Sequence, residues 1–142
     1  MSYIHWALTG MVGYSFVTLF VKLATQDGAL SSFTVLAFAS VIVATATLIV
    51  VWHQGDLVQL SAPDLIKSNV LWSYATGIAL SISVISMFRA LSLGPATAVV
   101  PIYGMFVIGG SILGIVFLGE TIDIRKATGI FLAALSIYLI AA

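Results

Sequence analysis

Five long apolar stretches follow one another along the chain, and they constrain its fold more than any other feature. They cover residues 3–24, 33–52, 71–88, 96–118 and 124–141. A helix needs about 20 mostly apolar residues to cross a bilayer, and the stretches are apolar on every face, unlike the alternating strands of a membrane barrel. Only 7% of the residues are charged, against about 25% in soluble domains, so the chain cannot cover a water-facing surface. We therefore expect an all-α membrane protein with five transmembrane helices in one domain over residues 1–142.

The short segments between the stretches carry residues that begin helices. Ser31 or Ser32 is suited to cap the second helix. The sequence SAPD at residues 61–64 has the pattern of a capping box, which predicts that the third helix begins near Ala62, before the membrane. Asp123 is a suitable N-cap for the fifth helix.

Residues that carry enzyme chemistry are absent or scattered. The chain has no cysteine, and its two histidines, His5 and His53, lie near the ends of different stretches. All five carboxylates fall in the turns, so no pair of acids lies deep in a span. We therefore expect no enzyme, no metal site and no cofactor. The zero net charge and the lack of a basic run also argue against a nucleic-acid partner.

Polar residues inside the apolar stretches are the candidates for a substrate cavity. Lys22 shares a face of the first helix with Thr18, and Tyr14 lies beside Thr18. A charge at the centre of a span costs about 2.5–3.5 kcal/mol, but Lys22 lies near a helix end, where it can reach water or cap the helix. A capping role and a cavity role both remain open, and hydroxyl residues on the other helices suit packing as well as cavity lining. The candidate cavity set is Tyr14, Thr18, Lys22, Ser40, Ser83, Arg89 and Tyr103.

The segment RALSLGPATAVVP joins the third and fourth stretches and contains two prolines. We expect Arg89 in the last turn of the third helix and Gly94-Pro95 at the reversal. Pro101 falls inside the fourth helix and has no N–H, so the carbonyl of Thr97 loses its partner. This predicts a kink, which serves either packing or a polar cavity.

Gly110 and Gly114 in the fourth stretch have the GxxxG spacing that lets helix backbones approach closely. The predicted contact lies either within the chain or at a dimer seam.

The charges at the ends of the stretches barely define an orientation. With the N-terminus inside, Lys67, Arg125 and Lys126 lie on the cytoplasmic side, and Lys22 and Arg89 lie on the other. Two interpretations fit this weak bias. The chain either has a single topology, or it inserts in both directions and forms an antiparallel homodimer.

The second half of the chain resembles the EamA-type repeat of the drug/metabolite transporter superfamily, and the resemblance extends to the start of the chain. It rests on Lys22-Leu23-Ala24, Ala90-Leu91, Pro101, FLGE at residues 117–120 and Gly129. Most members look like two fused five-helix repeats of opposite topology, and this chain is one repeat. The resemblance implies one half of a ten-helix inverted-repeat assembly, completed most simply by a second copy, in the cell inner membrane.

The resemblance also implies a function. It is alternating-access transport of small organic metabolites or amphiphiles, with the lipid bilayer and a small-molecule substrate as partners. Glu120 is expected to be a turn residue. The glutamate that small multidrug-resistance relatives carry midway along their first helix has no equivalent here, so proton-coupled export of cationic drugs is not implied. The alternative is a non-transporting membrane subunit, or one half of a heterodimeric carrier or lipid flippase.

Overall fold

The computed structural model is helical throughout its regular structure, and it describes residues 3–28, 30–55 and 67–141. A 3₁₀ turn over Gln26–Gly28 follows the first helix. The helices are α1 (Tyr3–Thr25), α2 (Ser32–Gln54), α3 (Ser68–Leu93), α4 (Ala96–Gly104), α5 (Phe106–Leu118) and α6 (Ile124–Ala141). The expected all-α class is therefore confirmed for these residues.

Four segments are long and apolar enough to cross a membrane. They are Tyr3–Thr25, Ser32–Gln54, Val70–Leu93 and Ala96–Leu118, the last of which joins α4 and α5. The fifth apolar stretch forms α6, which at 18 residues is shorter than these four segments and is not among them in the part of the chain that the structure describes. A fifth crossing stays a prediction.

The third helix continues further than the apolar stretch that predicted it. It ends at Leu93, so Arg89 is followed by one more helical turn, and the expectation of Arg89 in the last turn is wrong. A single charged residue does not end a helix, whereas the Gly94-Pro95 pair does. The predicted capping box at residues 61–64 and the predicted start near Ala62 lie outside the described residues.

Two of the predicted helix caps are confirmed. The Ser31 hydroxyl accepts a hydrogen bond from the Thr34 N–H at 3.1 Å, which caps α2. The Asp123 carboxylate accepts a hydrogen bond from the Arg125 N–H at the start of α6. Both side chains satisfy amides that have no partner within their own helix.

Contacts divide the chain into two units, Met1–Ser92 and Leu93–Ala142. The expected single domain stays a prediction. In the first unit α1 packs against α2, and in the second unit α6 packs against α4 and α5. The buried residues of the first unit lie near helix ends: Val21 in α1, Ser32 in α2, and Met87, Phe88 and Leu91 in α3.

Candidate functional site

Lys22 links α1 to the end of α3. Its Nζ donates a hydrogen bond to the carbonyl oxygen of Leu91 at 3.1 Å. Leu91 is fully buried and lies in the last turn of α3, where carbonyls have no partner in their own helix and carry partial negative charge. Lys22 therefore caps a helix other than its own. This contact favours the capping role, and a cavity role for Lys22 stays a prediction.

Several hydroxyls on the spans bond to their own helix. Thr18 Oγ1 donates to the Ser15 carbonyl at 2.8 Å, and Ser81 Oγ donates to the Gly77 carbonyl at 2.8 Å. A hydroxyl that is bonded in this way can lie in hydrocarbon without a second helix.

Ser40 on α2 and Ser83 on α3 differ from these residues. Both are exposed, and neither makes a hydrogen bond within the described part of the chain. An unsatisfied polar group in hydrocarbon is costly. Among the serine and threonine candidates, these two therefore have the greatest need of an external partner.

The remaining candidates occupy different surroundings. Tyr14 is 44% exposed. Arg89 is exposed, on the same end of α3 that Lys22 reaches. In the second unit, the half-buried Tyr103 ring lies 5.8 Å from the Phe106 ring. Among the described residues of the first unit, the structure brings Lys22 to the Arg89 end of α3, and Ser40 and Ser83 lie on exposed helix faces.

A shallow groove of about 550 Å³ follows one face of α3. Small residues line it at intervals of four, Ser73, Gly77 and Ser81, with Ile78 and Ile82 beside them. Gly77 and Ser81 lie near the polar stripe predicted for this helix, but Ser83 was the residue of the helix chosen as a cavity serine. The repeated spacing of small residues was the signal that could have found the groove face.

The fourth span is interrupted at Met105, between α4 and α5. The Met105 N–H donates to the Ile102 carbonyl at 3.1 Å, which is the tighter three-residue spacing of a 3₁₀ turn. Pro101 lies inside α4, so the interruption falls four residues after the proline. The predicted functional kink at Pro101 and Thr97 stays a prediction.

The FLGE sequence forms the end of α5. Gly119 adopts the left-handed backbone with φ 64°, and the Glu120 N–H donates to the Gly114 carbonyl at 3.2 Å. The Glu120 carboxylate folds back, and a Cβ on Gly114 would lie 3.2 Å from its Oε2. At Gly110 a Cβ would meet nothing within 4 Å. Gly114 is therefore covered by its own chain, and Gly110 is the member of the GxxxG pair that leaves an open face.

Comparison with known proteins gives one family. The model of the EamA-like transporter family matches residues 1–142. No curated protein and no solved structure matches the chain. The family match covers both helical units, so it applies to all of the described structure.

Proposed function

Because the chain belongs to the EamA-like transporter family, we propose that it carries small organic metabolites or amphiphiles across the membrane by alternating access, as a dimer. Family membership and four apolar spans make it an integral multi-pass membrane protein of a transporter family rather than of an enzyme family. In the proposed assembly α6 is the fifth span, two copies form a ten-helix inverted repeat, and the location is the cell inner membrane.

The exposed Ser40 and Ser83 hydroxyls carry the proposal. They lie on spanning helices and lack a hydrogen-bond partner among the described residues. A water-filled or substrate-filled cavity would satisfy them, whereas acyl chains would not. A second copy placed against α2 and α3 would turn these exposed faces into the wall of such a cavity.

The weak charge bias supports an antiparallel arrangement of the two copies. Two basic residues flank the spans on one side of the membrane and three on the other, so insertion in either direction differs little in free energy. Opposite insertion of two identical repeats would produce the inverted symmetry that alternating access uses.

Transport can be measured with purified protein in liposomes, as counterflow over a panel of metabolites. We expect Ser83→Ala to reduce transport about two- to tenfold, because one hydrogen bond contributes about 0.5–1.5 kcal/mol. The matched control is Thr76→Val on the same helix, since the Thr76 hydroxyl is already bonded to the Trp72 carbonyl and does not line the α3 groove. Equal rates for the two variants would contradict the cavity assignment, and a lack of transport for every substrate would contradict the function and favour the non-transporting subunit.

Topology can be measured with single cysteines, since the chain has none of its own. Gln26→Cys and Gln54→Cys place thiols near opposite ends of α2, at exposed positions. Gly55 is a poor choice because its φ is 76°. Labelling of each thiol from both sides is expected for dual insertion, and labelling from one side only would exclude it.

A further inference from the structure

A groove of about 340 Å³ lies between α5 and α6, and its walls are almost entirely apolar. They include Ile112 and Ile115 on α5 and Ile130, Phe131 and Ala134 on α6. The one hydroxyl in the wall, Ser111, donates to the Val107 carbonyl at 2.8 Å and so needs no further partner. The groove therefore suits hydrocarbon and not a polar solute.

The end of this groove at the start of α6 carries two exposed cations, Arg125 and Lys126. Lys126 lies one helical turn before Ile130 and therefore on the groove side of α6.

The two acids nearby are directed elsewhere. The Asp123 carboxylate is engaged by the Arg125 amide as a helix cap, and the Glu120 carboxylate folds back against Gly114. Gly114 does not line the groove. Neither acid forms an ion pair with Lys126 among the described residues, so the Lys126 ammonium can interact with an anion at the end of the groove.

We infer that the α5–α6 groove binds an anionic phospholipid of the surrounding bilayer. One acyl chain lies along the apolar walls, and the phosphate lies at Lys126. The groove begins at Ala127, next to the cations, and continues to Ala134, a distance of about 10 Å along the helix. An apolar groove with basic residues at its interfacial end has the chemistry that retains an anionic head group together with its chain.

The test is native mass spectrometry of the purified full chain, titrated with phosphatidylglycerol or phosphatidylcholine. The wild-type protein should retain phosphatidylglycerol preferentially. Lys126→Gln should reduce that preference about fivefold, the contribution expected of one basic residue near an anionic lipid. Lys67→Gln removes the same charge from another exposed position and should leave the preference unchanged.

A second pair of variants tests the acyl part of the site. Ala134→Leu fills the groove and should reduce adducts of both lipids, whereas Ala133→Leu, beside it but outside the groove wall, should not. Circular dichroism checks that all four variants are folded.

Three results would overturn the inference. One is a wild-type protein without preference for the anionic lipid. Another is equal behaviour within either matched pair. The third is an Ala134→Leu variant that loses its dimer while its lipid adducts are unchanged, since that would show a second copy in the groove.

Discussion

Gly119 at the end of α5 and Gly110 in its interior should respond in opposite directions to the same change to alanine. At Gly119 φ is 64°, and nothing lies within 4 Å of an added Cβ, so only the backbone opposes the change. The left-handed conformation costs an L-residue about 1–2 kcal/mol. Alanine also lowers the conformational entropy of the unfolded chain, which stabilises the folded protein by about 0.4–1 kcal/mol. Gly119→Ala should therefore lower the free energy of unfolding by about 1 kcal/mol.

Gly110 lies in the helical interior of α5, and a Cβ there also meets nothing within 4 Å. Replacing a helical glycine by alanine usually stabilises by about 0.5–1 kcal/mol. The two variants should therefore differ by about 2 kcal/mol, with opposite signs relative to the wild-type protein. Gly119→Asn should fall between wild type and Gly119→Ala, because asparagine tolerates the left-handed region.

The free energies can be measured by titrating the micellar protein with dodecyl sulfate and following helix content by circular dichroism. Crosslinking of the same samples reports the dimer fraction. A stabilised Gly119→Ala variant would refute the argument from φ. A destabilised Gly110→Ala variant with a reduced dimer fraction would show that another helix packs on that glycine, and the argument from open space would fail.

Three further predictions concern single side chains, each measured by the same titration. Lys22→Met keeps the aliphatic stem but removes the 3.1 Å hydrogen bond to the Leu91 carbonyl. It should lower the free energy of unfolding by about 1–2 kcal/mol, and an unchanged stability would exclude the capping role. Ser31→Ala should lower the free energy of unfolding by about 1 kcal/mol, because it removes the cap of α2. Ser32→Ala should be neutral or stabilising, because the buried Ser32 hydroxyl has no partner among the described residues. Similar losses for both variants would contradict this expectation. Glu120→Gln should stabilise by about 0.3–1 kcal/mol, because it removes a negative charge from the negative end of α5, and a clear loss would show that the carboxylate has a cationic partner.

Local features of the sequence predicted local features of the structure. The apolar stretches became helices, and Ser31 and Asp123 became caps, because hydropathy and capping depend on residues within a turn or two. The Gly94-Pro95 reversal was predicted correctly, because α3 ends at Leu93 directly before it, whereas Arg89 was wrongly assigned to the last turn because the apolar stretch ends at Phe88.

Features that depend on folded-back or distant residues were not predictable in the same way. Nothing in the spacing shows that Glu120 covers Gly114, since this follows from the left-handed Gly119 that turns the chain back. The contact between Lys22 and Leu91 joins residues 69 positions apart, and hydropathy carries no information on such pairs. The cavity candidates were chosen by residue type. Type alone could not separate the bonded Thr18 from the unbonded Ser40 and Ser83.

The burial of Val21, Ser32, Met87 and Leu91 at one end of the first unit has a mechanical consequence. Helices that pack against each other at one end only can tilt about that end. A helix of 23 residues is about 35 Å long, so a tilt of about 5° about the packed end displaces the opposite end by about 3 Å. Any rocking of α1 against α3 would therefore leave the Lys22 contact nearly stationary and concentrate the displacement at the membrane face furthest from it.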